Sequence, residues 1–412
     1  MTKLMKIAVR NLARYRRRSL LTASLIAVGV VAVVVFEAAA GAFTGLMIGQ
    51  MTDAMLGHLQ IHRRGYVASI DNLPLTMMLS PADVRVIEET LSAQPEVESY
   101  TRRLKFGGMF SNYTETTAIR LNGIHPEEEL RTLPLLASRI TQGTATLRKG
   151  EIVIPELLAT GMGVKLGDTV VVIATNRDGS VNAAQFVVSG VLANVTSPSG
   201  RDGYVHIDDA ATLLRMETPE ISEIAVRLND FQRLDQVAGA IRAALQTEQT
   251  AGPAADAEVH TWEGLSPFYN VAVLIGILAL SATLGLVAIV LISVMNVMLM
   301  SVYERVKEIG TMAAMGTMPR TILSMFVIEG LSLGVLGILI GDAVGAAAIL
   351  IIRAVGPTFD FGRETGLVLA PHVDLEQMLV VSAIVLLVAV AGTAQPAFKA
   401  SRMEPVEALR HG

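Results

Sequence analysis

Four long, almost uncharged apolar stretches constrain this chain more than any other feature. They span residues 19–42, 270–302, 321–352 and 375–398. A helix needs about 20 apolar residues to cross a hydrocarbon layer of roughly 30 Å, and each stretch exceeds that. A buried helix of a soluble protein keeps a polar face, and these stretches have almost none. The first follows basic residues, as a secretory leader would, but the apolar part of a leader is only about 7–15 residues long. It therefore reads as a retained helix. The expected fold class is an α-helical membrane protein with four transmembrane helices and a mixed α+β domain between the first two.

Lysine and arginine in the short flanks set the orientation. Lys3, Lys6, Arg10, Arg14, Arg16, Arg17 and Arg18 precede the first stretch; Arg305, Lys307 and Arg320 separate the second and third; Lys399, Arg402 and Arg410 follow the fourth. The link at 353–374 instead carries Asp360, Glu364 and Asp374 against Arg363. The expected plan is a basic cytoplasmic N-terminus at 1–18 and a large extracytoplasmic, periplasmic domain at 43–269. A cytoplasmic segment at 303–320, a short outer loop at 353–374 and a cytoplasmic tail at 399–412 complete it. The expected place is the cell inner membrane.

Within 43–269, residues 57–63 alternate like a strand and 81–93 read as a helix capped by Ser80. Residues 150–155, 169–174 and 186–193 are short β-branched runs between Gly and Asp turns, as in a small barrel or sandwich. Strand, amphipathic helix and strand follow at 221–228, 231–246 and 258–262, with loops expected at 194–204 and 249–256. The plan is an α+β unit split by an inserted β unit. The Leu-Pro-Leu-Thr-Met-Met-Leu stretch ending in Met77, Met78 and Leu79 is a candidate substrate contact, because flexible methionine surfaces suit varied apolar ligands. Burial against the neighbouring helix is the alternative.

Composition excludes several functions. The chain has no cysteine, so disulfides, thiolate metal sites and a cysteine nucleophile are out. The net charge of −5, without a basic stripe, gives no nucleic-acid partner. No G-x-x-x-x-G-K-[ST] phosphate loop, H-E-x-x-H or G-x-S-x-G occurs. His58 and His62 read as solvated or cross-strand histidines, and Asp208-Asp209 as acids at a helix start. No catalytic or metal residue is assigned, and the chain is not expected to be an enzyme.

The densest signals lie around the third stretch. Glu304, Arg305, Lys307 and Glu308 have spacings that allow pairing along one helix. Gly310 and Gly316 allow a turn or close backbone approach. Gly330, Gly334, Gly337, Gly341 and Gly345 form ladders on which helices can pack closely, within the chain or between copies. Glu37 and Asp342 lie near the outer ends of their helices, where a hydrated position is expected.

The string E-R-x-x-E-I-G-x-x-x-A-x-G at 304–316, followed by I-x-x-x-F-x-x-E-G at 322–330, resembles the signature of the FtsX-like, MacB-type permease family. Arg10-Asn11-Leu12, the 151–172 segment and the 397–410 tail resemble other motifs of that family, so the likeness covers nearly the whole chain. Residues 58–66 look most like its LolC/LolE-type, lipoprotein-releasing members, in particular LolE. Ala313 departs from the family pattern, which often has a cation there. The resemblance implies the permease of a type VII ABC transporter. It implies a separate ATPase in two copies, which supplies ATP and magnesium sites, and a second permease copy or paralogue. Glu304, Arg305, Lys307, Glu308, Gly310 and Gly316 would couple to the ATPase. Membrane lipid, lipoproteins, and a periplasmic adaptor or chaperone are the further partners it implies. Lipoprotein or lipid release is the first function implied; adaptor-assisted efflux and signalling to a cell-wall hydrolase are the alternatives.

Overall fold

The computed structural model describes residues 16–193, 200–251, 256–266, 268–361 and 364–402. These form two compact units. Leu46–Val271 with Asp360–Leu367 make a sheet unit, and the remaining described residues make a helical unit.

Four long helices run Arg16–Met51, Tyr269–Glu304, Pro319–Val355 and Leu375–Ser401, and each is long and apolar enough to cross a membrane. At 1.5 Å per residue even the shortest, at 27 residues, is about 40 Å long. The first continues well past the apolar run that ends at Ala42, and its residues from Leu46 belong to the sheet unit. Pro319 opens the third helix at a position where a missing N–H costs nothing. Gly356, at φ +58°, closes it. Asp374 caps the fourth helix by accepting from the backbone N–H groups of Glu376 and Gln377. The link expected as a plain loop contains a hairpin, β11 (Thr358–Phe361) and β12 (Glu364–Val368).

The glycine ladder of the third helix serves two neighbours. A Cβ placed on Gly330 would clash with Thr393 Cγ2, and one on Gly334 would touch Ala389, both on the fourth helix. A Cβ on Gly337 or Gly341 would lie 2.7 Å from Ile26 Cβ or 2.6 Å from Val30 Cβ, and Gly345 meets Val34, all on the first helix. Of the two packing alternatives, these five glycines therefore take the one within the chain. The second helix is the outlier, since only 6% of its most apolar window is buried, against 39% for the first. Its buried stripe (Val290, Val294, Met298, Ser301 and Val302) is confined to its second half.

The sheet unit is organised by one long strand. In the order of pairing, β10 (Ala257–Thr261), β1 (Leu59–Arg63), β9 (Glu223–Leu228) and β2 (Val97–Ser111) form an antiparallel sheet. The far half of β2 then enters a ring. It pairs with β3 (Thr116–Ile124), and β8 (Asp202–His206), β5 (Glu151–Pro155), β7 (Val181–Leu192) and β6 (Thr169–Thr175) follow. β6 returns to β2 and closes a six-stranded barrel, while β4 (Ile140–Gly143) extends β7. Closure removes the exposed strand edges. The flanking helices are Pro81–Ser92 and Leu234–Ala251. The first of these begins with a capping box in which Ser80 and Asp83 each bond the other's backbone.

The core decides between the alternatives at two places. Met78 and Leu79 are 2% and 0% exposed, and Leu79 bridges Ile221, so they pack inward and offer no surface to a substrate. Met77 is half-buried beside Gly65. Of the two readings for His58 and His62, solvated or cross-strand, the cross-strand one holds, with both side chains buried: His58 Nδ1 accepts from the Leu228 N–H at 3.0 Å, and His62 Nε2 lies 3.5 Å from Glu223. The helix expected at 231–246 runs as a 3₁₀ turn, Phe231–Arg233, then Leu234–Ala251. Asp208 and Asp209 occupy the first turn of Ile207–Leu213, where Asp208 pairs with Lys149 at 2.7 Å. The motifs read at 10–12 and 403–410, and residues 194–199 of the loop at 194–204, lie outside the described residues.

Candidate functional site

The segment between the second and third long helices folds back on the helical unit. After Glu304 the chain breaks at Arg305, forms a short helix, Val306–Ala314, and turns at Gly316, where φ is +84°. Gly316 and Thr317 donate to the carbonyls of Ala313 and Met312, which closes the short helix. Pro319 then starts the third helix.

This turn sorts the signature residues into two sets. Ile309, Gly310, Ile322, Phe326, Glu329 and Gly330 are buried, and the apolar ones join a core with Val302, Ala397 and Ala400. Arg305 is buried with them, and its Nη1 donates to Glu329 Oε2 at 3.0 Å; the two side chains are 7% and 6% exposed. Arg305 was expected, from the family resemblance, to face an ATPase. It faces inward instead, because a buried guanidinium requires a carboxylate, and Glu329 on the third helix supplies it. Gly310 is likewise internal. Glu304, Lys307, Glu308 and Gly316 remain on the exposed side, with Met315 and Met318 at 74% and 72% exposure. The outward face is therefore a short helix and turn carrying both charge signs and two methionines. At its rim Lys399 of the fourth helix donates to Tyr303 Oη of the second at 2.9 Å.

Farther along the helical unit, Glu37 accepts from Thr283 and, at 3.3 Å, from Gln377, so one carboxylate joins three helices. Asp342 accepts from Ser382 at 2.8 Å. Both acids, expected as hydrated, are tied to neighbouring helices.

The sheet unit holds the last turns of the first helix through several side chains. Arg103 Nη1 donates to the Met55 carbonyl at 2.7 Å, Gln60 to that of Leu56 at 2.7 Å, Arg139 to Gln50, and Arg227 to Asp53. Arg103 in turn sits between Glu129 and Glu223, both at 2.8 Å, and Lys105 meets Glu223 at 2.8 Å. Burial opposes ionisation of Glu223, yet Lys105, His62 and Arg103 hold its carboxyl well below the usual range. No local spacing announces this cluster; Arg103 lies 26 residues from Glu129 and 120 from Glu223.

Comparison with known proteins fits this architecture. The family model of the MacB-like periplasmic core domain matches residues 19–244, and that of the FtsX-like permease C-terminal region matches 270–405. A lipoprotein-releasing system transmembrane protein LolC of Neisseria meningitidis serogroup B is 24% identical over 94% of this chain and 92% of its own length. A macrolide export ATP-binding/permease protein MacB of Nitrobacter winogradskyi is 28% identical over 56% of this chain, but the match spans only 35% of that protein. The crystal structure of the periplasmic region of MacB from Actinobacillus actinomycetemcomitans aligns with a TM-score of 0.35 at 16% identity, covering 50% of this chain and 88% of that one.

Four membrane-crossing helices, with a sheet unit inserted after the first, define a multi-pass permease with an extracytoplasmic domain. The chain belongs to the FtsX-like permease family with a MacB-like periplasmic core domain, the permeases of type VII ABC transporters.

Proposed function

We propose that this chain takes ATP-driven motion from a separate ATPase and uses it to release lipoproteins or lipids from the outer leaflet of the inner membrane. The observation that carries the coupling is the buried Arg305–Glu329 pair. It fixes the short helix to the third long helix, so that force on the exposed residues Glu304, Lys307, Glu308, Met315 and Met318 moves both together. Two copies, or this chain and a paralogue, would engage two ATPase subunits on the cytoplasmic side, with both termini cytoplasmic. ATP and magnesium would be held by those subunits. The clamped end of the first helix is where motion would enter the sheet unit.

Two readings compete. Adaptor-assisted efflux is supported by the likeness to MacB, and lipoprotein release by a likeness to LolC that runs almost end to end. The second is favoured by that coverage. Reconstitution with the ATPase in vesicles carrying a labelled lipoprotein tests it. ATP-dependent release of label to a soluble acceptor is expected. Hydrolysis of ATP without release of lipoprotein or lipid, together with co-purification of an efflux adaptor, would favour the other reading.

A further inference from the structure

The sheet unit contains a cavity of about 530 Å³, within the roughly 300–1,000 Å³ of small-ligand sites. Its described lining residues all lie between Met51 and Phe268, inside this one unit. Much of the wall is apolar. Met51, Met55 and Leu56 come from the last turns of the first helix, and Leu73, Leu265 and Phe268 from farther along the chain.

The charged side chains on the wall are already engaged. Arg103 is held by Glu129, Glu223 and the Met55 carbonyl, and Lys105 by Glu223. Arg120 donates to the carbonyls of Ile70 and Asp71 at 3.2 and 2.8 Å, and Asp202 has an interaction of its own. Asp71 is exposed, so its carboxylate stays in water. Two neutral groups differ from these. Asn122 of β3 pairs in register with Tyr204 of β8, so their side chains share a sheet face, and both line the cavity. Asn122 is 7% exposed, and its Nδ2 donates to the Gly203 carbonyl at 3.2 Å. That bond fixes the side-chain amide and leaves Oδ1 an acceptor with no donor among the described residues. The Tyr204 hydroxyl has no hydrogen-bond partner among them either. Burial, with Glu129 nearby, raises its pKa, so it stays protonated and able to donate. The wall thus presents one unused acceptor and one unused donor side by side, where buried polar groups are normally matched.

We infer that this cavity binds a neutral single-chain amphiphile with a hydroxyl head group, of the monoacylglycerol kind. A hydroxyl both donates and accepts through one atom. It donates to Asn122 Oδ1 and accepts from Tyr204, while the acyl chain lies against Met51, Met55, Leu56 and Phe268. A charged head would enter among charges that already have partners, with nothing to offset its lost hydration. An ester without a hydroxyl would leave Asn122 Oδ1 unmatched. Occupancy needs neither nucleotide nor an ATPase, so this site stands or falls apart from ATP-driven release.

The full-length chain in phosphatidylcholine nanodiscs, without ATPase, is exposed to a monoacylglycerol carrying a photoreactive diazirine on its chain, and labelled peptides are identified by mass spectrometry. Labelling is expected at 51–56 and 264–268. Unlabelled monooleoylglycerol is expected to compete at a membrane fraction about three- to tenfold lower than methyl oleate, the scale of one neutral hydrogen bond. Oleate is expected to compete no better than methyl oleate. Tyr204→Phe should weaken competition by monooleoylglycerol about three- to tenfold, and Leu265→Trp, which fills the cavity, should abolish labelling there. A thermal unfolding midpoint within a few degrees of the parent shows that each variant is folded. Tyr204→Phe removes a single oxygen, so it carries the test if Leu265→Trp does not fold. Labelling confined to residues 19–42 and 270–398 overturns the proposal. So does equal competition by the three lipids, stronger competition by oleate, or unchanged competition in folded Tyr204→Phe.

Discussion

The two units bury charge in different ways. In the helical unit the buried ion pair of Arg305 and Glu329 ties the short helix to the third long helix. In the sheet unit Arg103 is held by two carboxylates and a carbonyl, Glu223 is shared by Arg103 and Lys105, and Glu129 also accepts from Thr101. The pair joins one helix to another across the fold-back, whereas the network joins several strands to the end of a helix and keeps most of its bonds when one member goes. The difference fits the proposed division of labour. The short helix must move as one piece with its long helix, while the sheet unit must hold the end of the first helix against load.

The largest expected effect is at the pair. Glu329→Ala removes the carboxylate that the buried Arg305 guanidinium donates to, a loss of about 3–5 kcal/mol. Thermal unfolding should fall sharply, and release should stop. Replacing both partners by Met and Leu should recover most of the stability, because an apolar pair of similar volume is often neutral or better. Next come the glycines. Gly341→Val forces a side chain into Val30 and is expected to cost about 1–3 kcal/mol. Gly276→Ala, where nothing lies within 4 Å, should leave the midpoint unchanged.

Glu129→Gln is the matching change in the network. Arg103 keeps Glu223 and the Met55 carbonyl, so about 1–3 kcal/mol is expected, less than for Glu329→Ala. A larger loss than at Glu329 would reverse the comparison. The smallest effect is with pH. Burial pushes the His62 imidazole below its ordinary range, against the pull of Glu223 and with Lys105 and His260 opposing its charge. The unfolded chain then binds the proton more tightly than the folded one. His62 therefore costs no stability above an unfolded pKa of about 6.5 and destabilises the sheet unit as pH falls below it. Protection factors of β1 and β9, the exchange rates taken relative to the intrinsic rate at each pH, should fall between neutral pH and pH 5, and His62→Phe should flatten that slope.

Much of this architecture was legible in the sequence, for a physical reason in each case. Apolar runs longer than a bilayer is thick have no room in a small soluble core, and Ser80 announces a capped helix locally. What stayed hidden depends on partners far along the chain. The run ending at Ala42 stops being purely apolar, yet the helix continues to Met51, because Arg103, Arg139 and Arg227 hold the turns that follow. The glycine spacing promised close packing but not which neighbour each glycine meets. Met78 and Leu79 were as apolar as a ligand surface and as apolar as a core, and only the bridge to Ile221 decides between them. Arg305 and Glu329 both stood out in the signature, but their pairing across 24 residues has no local signal.

The most direct test reverses the pair. Arg305→Glu and Glu329→Arg, singly and together, are reconstituted with the ATPase, and ATP hydrolysis and lipoprotein release are measured side by side. Each single reversal should retain hydrolysis but lose release by at least about tenfold, and the double reversal should restore release. Single variants that release normally, or a folded double variant that hydrolyses ATP but stays silent, would contradict the account.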